Sequence, residues 1–144
     1  MRSFMAATSA FVDTSGFFAL LAKQDPAHGN AVQWLAQVRS KRLRSITTDY
    51  ILDETATLLK ARGCPELISV FFEFVSPSQA LHIEWISPER FHETQNFFVV
   101  HRDHEYSFTD CTSFIVMREL GLRESLTTDK HFREAGFVSL LPTA

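Results

Sequence analysis

Short apolar runs alternate along this 144-residue chain with segments whose apolar residues recur at helical spacing, and that alternation confines it to few architectures. It is the pattern of strand and helix units feeding a parallel sheet. Ala10, Phe11 and Val12 end a first strand with a ragged start in the opening residues, and Gly16 to Leu21 form a short buried helix. After the break at Asp25 and Pro26, the spacing of Ala31, Trp34, Leu35 and Val38 predicts a second helix, closed by the basic cluster Arg39, Lys41, Arg42 and Arg44. A strand at Ser45 to Thr47 leads into a helix from about Tyr50 to Ala61. The breaker Gly63 to Pro65 then separates it from a helix carrying Leu67, Ile68, Phe71, Phe72 and Val75, and the two should pack as a hairpin.

Leu81, Ile83 and Trp85 alternate with His82 and Glu84, the period of a half-buried strand near a sheet edge. Ser87 and Pro88 suit the cap and first position of a helix running through Phe91 and Phe98. Ser107 to Leu120 form the next helix, which Gly121 is placed to end. A strand at Ser125 to Thr127, a short helix at Lys130 to Ala135 and a strand at Phe137 to Leu141 complete the pattern. The fold class is therefore α/β: one domain over residues 1–144, with a central, mostly parallel sheet of about five short strands flanked by helices.

Four carboxylates, Asp13, Glu54, Asp110 and Asp129, sit where an apolar run meets a turn or on the apolar face of a helix. Asp13 and Asp129 follow strands directly, and the crevice beyond the carboxyl ends of parallel strands is where ligands bind. Each also suits a helix N-cap. Glu54 shares its helix face with Ile51 and Leu58, whereas Asp53 and Asp49 suit the solvated side and the helix start. Asp110 stands three residues after Ser107, as in a capping box, yet its face continues through Ser113, Phe114 and Met117. Caps do not explain all four together. Two like charges about 4 Å apart at an effective dielectric near 20 repel by about 4 kcal/mol, so a converging quartet calls for a cation. Oxygen ligands select Mg2+ or Mn2+ over zinc.

The segments FVDTSGFFALL, TTDYILDETATLL, YSFTDCTSFIVMRELG and LTTDKHFREAGF, in this order and spacing, resemble the PIN-domain ribonucleases, specifically the VapC-type toxins of bacterial and archaeal toxin–antitoxin pairs. The resemblance covers nearly the whole chain. It implies that Asp13, Glu54, Asp110 and Asp129 are the catalytic, metal-binding quartet, with Thr14 and Thr109 as supporting hydroxyls. It further implies Mg2+- or Mn2+-dependent hydrolysis of RNA phosphodiester bonds without a covalent intermediate, leaving a 5′-phosphate and a 3′-hydroxyl. A cognate antitoxin, lying over a groove around Phe71, Phe72 and Phe74, and a homodimer follow from the resemblance alone. The rival reading from another class is a non-catalytic magnesium-binding signalling or interaction module. A receiver-like version fits poorly with Asp13-Thr14-Ser15, and no phosphate-cradling G-x-x-x-x-G-K-[ST] is present.

A net charge of −3 excludes broad electrostatic attraction of nucleic acid, so a polyanion must be gripped locally. Lys130, Arg133 and Arg102 are the expected RNA contacts, with the Arg39 to Arg44 cluster more simply a solvated helix end. His101 and His104 read as a polar loop, and His131 as a substrate contact without a catalytic role. Cys64 and Cys111 form no C-x-x-C, which fits a reducing cytoplasm. No apolar run approaches the ~18 residues of a membrane span, and the opening residues are unlike a secretory signal. Fourteen phenylalanines imply either an aromatic core or rings at a partner surface.

Overall fold

The computed structural model describes residues 8–76 and 80–142; the ragged start of the first strand lies outside the described residues. Strand β1 (Thr8–Val12) is followed by helices α1 (Thr14–Leu21) and α2 (His28–Ser40), then β2 (Arg44–Thr48), α3 (Asp49–Ala61) and α4 (Glu66–Val75). Next come β3 (Leu81–Glu84), α5 (Pro88–Val100), α6 (Phe108–Leu120), β4 (Glu124–Leu126), α7 (Lys130–Glu134) and β5 (Val138–Ser139). The five strands form one sheet in the order β3-β2-β1-β4-β5, every pair parallel. Phe11 sits opposite Ile46 on one side and Ser125 on the other. β1 is therefore central, and the chain leaves it toward β2 and returns on its other flank as β4. Such a reversal of strand order opens a crevice at the carboxyl ends of the two diverging strands.

Local chemistry sets several of the boundaries. The Thr48 hydroxyl accepts from Ile51 N at 3.2 Å to start α3, and Ser87 accepts from Arg90 N at 3.1 Å to start α5, with Pro88 behind it. Gly121, with φ of 69°, takes the left-handed conformation that ends α6. Gly16 answers a different demand. A Cβ there would lie 2.1 Å from the Leu126 carbonyl oxygen, so only glycine lets α1 seat against the end of β4.

Phe11, Phe17, Phe71, Phe114 and Phe132 are fully buried, each contributing about 1.5–3 kcal/mol of transfer free energy. Phe17 meets Phe71 edge-on at 5.4 Å and Phe114 meets Phe132 in the same manner at 5.1 Å. The core is aromatic-rich, as the phenylalanine excess led one to expect, and Phe72, Phe91 and Phe98 remain exposed. The edge strand departs from the reading of its alternation. β3 ends at Glu84, all four of its residues are half-buried, and Trp85 is 65% exposed rather than inward. Polar ties replace burial here: His82 pairs with Glu84 at 2.9 Å, and Arg90 pairs with Glu84 at 2.8 Å while donating to the Trp85 carbonyl. Phe71 is a core residue and Phe74 packs on Phe17, so of the three rings expected around a partner groove only Phe72 faces outward.

Candidate active site

The crevice between the ends of β1 and β4 widens into a cleft of about 700 Å³ whose walls include Asp13, Glu54, Asp110 and Asp129. Four separate elements deliver them. Asp13 follows β1 and is 4% exposed; its backbone N donates to Leu126 O, and its Oδ2 accepts from Thr127 Oγ1 at 2.8 Å and Ser15 Oγ at 3.0 Å. Glu54 reaches in from α3, and its Oε1 accepts from Thr14 Oγ1 at 2.6 Å. Asp110, on α6, completes a capping box: its backbone N donates to Ser107 Oγ and its Oδ2 accepts from Ser107 N at 3.1 Å. Asp129 caps α7 by accepting from His131 N at 2.9 Å. The structural roles weighed for Asp110 and Asp129 thus coexist with positions on the cleft wall. Asp13 occupies a cap position but makes no side-chain cap bond.

The electrostatics follow from this geometry. Burial, opposed by the Thr127 hydrogen bond and reinforced by the Asp110 charge, pushes the Asp13 carboxyl up to about 7. Burial raises Asp110 to about 6, with Asp129 and Glu54 adding like-charge repulsion. Cys111, beside Asp110, is fully buried and its thiol is pushed up to about 11 by burial first and the Asp110 charge second. It is a packing residue.

Within the cleft the tightest donor set is Asp110, Asp129 and His131, each offering an atom within 4.8 Å of the others. Asp13 and Glu54 share the wall but stand outside this set; hydroxyls of Ser15 and Thr127 hold the Asp13 carboxylate, and that of Thr14 holds Glu54. His131 Nδ1 lies 3.0 Å from Asp129 Oδ1 and 3.4 Å from Asp110 Oδ2. Neither approach has hydrogen-bonding geometry, so the buried nitrogen meets both carboxylates as ion-pair contacts without a directed hydrogen bond. An orphaned imidazole nitrogen between two carboxylates is a donor set a divalent cation would complete.

Thr14 lies at the cleft, but Thr109 is not among the lining residues; its carbonyl instead accepts from Thr112 and Ser113 within α6. Ser15 and Thr127 are the hydroxyls that motif matching passed over. Their oxygens stand 3.1 Å apart; Ser15 Oγ also accepts from Thr128 N, and Thr127 Oγ1 from Asp129 N. Lys130 and Arg133 are exposed on α7, and Arg102 is spent on the Val99 carbonyl, so none of the three lines the cleft. Arg62 does. It is the one lysine or arginine among the described lining residues, with its guanidinium 4.9 Å above the Phe18 ring. His101 caps α5 and stacks on Phe97, and His104 stacks on Tyr106, consistent with a structural loop.

The PIN domain family model matches residues 10–138, spanning all four carboxylates. The chain is a PIN-domain protein. Among curated relatives, the 23S rRNA-specific endonuclease VapC20 of Mycobacterium tuberculosis is 36% identical over 132 residues, covering 92% of this chain and 98% of that protein. A VapC ribonuclease of Archaeoglobus fulgidus is 33% identical over 118 residues, 80% of this chain and 74% of that protein. The crystal structure of VapC20, described as a sarcin-ricin loop cleaving toxin, superposes with a TM-score of 0.82 at 34% identity, covering 93% of this chain and all of that one. FitAcB from Neisseria gonorrhoeae, at 14% identity and a TM-score of 0.62, shares the fold, covering 91% of this chain and 95% of that one. This PIN-domain protein thus belongs with the VapC-type members, and no helix among its described residues is long and apolar enough to cross a membrane.

Proposed function

We propose that this PIN-domain protein is the endoribonuclease toxin of a type II toxin–antitoxin pair, hydrolysing RNA phosphodiester bonds with Mg2+ or Mn2+ at Asp13, Glu54, Asp110 and Asp129. The observation that carries the reading is the meeting of these carboxylates, from four elements, on one cleft where burial and like charge resist ionisation of Asp13 and Asp110. Similarity to an endonuclease specific for 23S rRNA supports a ribosomal RNA loop as substrate.

A hard dication held by these four carboxylates would lower the pKa of a water and offset charge on the scissile phosphate. The chain's own residues do the rest. Ser15 and Thr127 clamp Asp13, and Thr14 fixes Glu54, so neither carboxylate needs to reorganise when substrate arrives. Arg62 supplies the local positive charge that an acidic protein requires to hold a phosphate backbone, and the exposed Lys130 and Arg133 on α7, with Arg102, are candidates for more distal contacts.

Two exposed apolar surfaces support the partners. α4 presents Val70 (46%) and Phe72 (50%) to a cognate antitoxin. On α5, Phe91 meets Phe108 at a tilt at 5.2 Å and Phe98 meets it edge-on at 5.5 Å, and both rings stay partly exposed as a candidate homodimer face. The expected compartment is the cytoplasm, where ribosomal RNA and the antitoxin are found.

The test is cleavage of RNA by the purified protein. Activity should require Mg2+ or Mn2+, stop with chelator, and fall by about 10²-fold or more in Asp110→Asn with the circular dichroism spectrum unchanged. Cleavage that persists in chelator, or full activity in that variant, would overturn the assignment. Sequencing the 5′ ends of fragments after induced expression identifies the target.

A further inference from the structure

We propose that His131 Nδ1 is a direct ligand of the cation held by Asp110 and Asp129, and that it biases this site toward Mn2+ over Mg2+. The inference rests on the cleft being a metal centre and adds to it an imidazole outside the acidic quartet. Three observations converge. First, Nδ1 is buried and lacks a hydrogen-bond partner, although two carboxylate oxygens lie at 3.0 and 3.4 Å; buried imidazole nitrogens are otherwise paired. Second, Asp110, Asp129 and His131 each offer a ligand atom within 4.8 Å of the others, so small side-chain rotations suffice to bring them around one ion. Third, the ring is held in place. Its backbone N donates to Asp129 Oδ1, tying residues 129 and 131 together at the start of α7, and Tyr106 packs edge-on against the imidazole at 5.8 Å. The side chain is 18% exposed, and its position is set before any ion arrives.

A histidine–aspartate ion pair is the rival explanation: a protonated ring would meet both carboxylates at these distances, whereas a neutral ring turns its lone pair toward a shared cation, and the experiment below separates the two. Mg2+ is a hard ion that keeps oxygen ligands and several waters, while an imidazole nitrogen suits Mn2+ and later transition ions. One nitrogen among oxygen donors therefore discriminates between ions that an all-carboxylate site would treat alike.

The experiment is Mn2+ binding followed by electron paramagnetic resonance, with electron spin-echo envelope modulation of the loaded protein and Mg2+ as competitor. The wild type should show nitrogen modulation at bound Mn2+, since His131 is the one histidine among the described residues lining the cleft. His131→Ala and His131→Gln should lose it, weaken Mn2+ binding by about tenfold and change Mg2+ affinity by less than about threefold. Asp110→Asn should weaken both ions. Mn2+ bound by the wild type with no nitrogen modulation would overturn the role of His131 and leave the carboxylate site standing. Failure of the wild type to bind Mn2+ at all would overturn both. The wild-type spectrum decides the matter even where a His131 variant does not fold.

Discussion

Replacing Asp13 with asparagine should make the metal-free protein more stable, and by an amount that depends on pH. Asp13 is 4% exposed and its carboxyl is raised from 3.8 to about 7, chiefly by burial. Below pH 3.8 both the folded and unfolded chains hold the proton, and the group contributes no pH dependence. Between 3.8 and about 7 the unfolded chain releases a proton that the folded chain keeps, so folding loses stability as pH rises. Above about 7 both states are ionised and the penalty is constant. A rise from 3.8 to about 7 corresponds to about 4 kcal/mol. Asp110 ionises in the same cleft and shares part of that cost, so Asp13→Asn should gain about 2–4 kcal/mol at pH 8.5. Asparagine still accepts from Ser15 and Thr127 through Oδ1, so the clamp survives. For a chain of this size the gain is a rise in Tm of roughly 6–12 °C. The assay is thermal and urea unfolding in chelator at pH 4, 6 and 8.5, with the difference near zero at pH 4 and growing through pH 6. Saturating Mn2+ should then stabilise the wild type, by about 2.7 kcal/mol at a hundred times Kd, and leave the variant little changed. A variant less stable than the wild type at pH 8.5, or a difference independent of pH, would refute the reasoning.

Two further substitutions separate substrate from partner surfaces. Arg62→Ala should lower kcat/KM on RNA by about tenfold and flatten its dependence on salt by about one phosphate contact, while cation affinity is unchanged; an unaltered salt slope would remove Arg62 from the RNA path. Phe98→Asp on the exposed face of α5 should convert a dimer to a monomer in light scattering without unfolding the domain, and a variant that stays dimeric would place the interface elsewhere.

The fold was legible because its signals are local. Period-two and helical spacing, the Ser87-Pro88 start and the Gly121 stop each act within a few residues, and the strands and helices stand within a residue or two of where those signals put them. The exceptions have non-local causes. The last strand shortens to Val138–Ser139, and β3 ends before Trp85 because an edge has a neighbour on one side only. The four carboxylates could be picked out because each breaks its own apolar context. Their company could not. Ser15 and Thr127 join only across 112 residues, Arg62 enters the cleft by stacking on Phe18, and His131 acquires an orphaned nitrogen only once α6 and α7 lie side by side. Lys130 and Arg133, expected as RNA contacts from their adjacency to Asp129, lie exposed on α7 outside the cleft lining.

The central claim is that these side chains hold a hard dication, and a crystal soaked in Mn2+ tests it most directly through anomalous scattering at the manganese edge. The account predicts a peak in the cleft with oxygens of Asp110 and Asp129 at about 2.1–2.2 Å and Asp13 or Glu54 in its coordination sphere, directly or through water. A cleft with no anomalous signal at saturating Mn2+, or an ion seated on a surface away from Asp110, would contradict it.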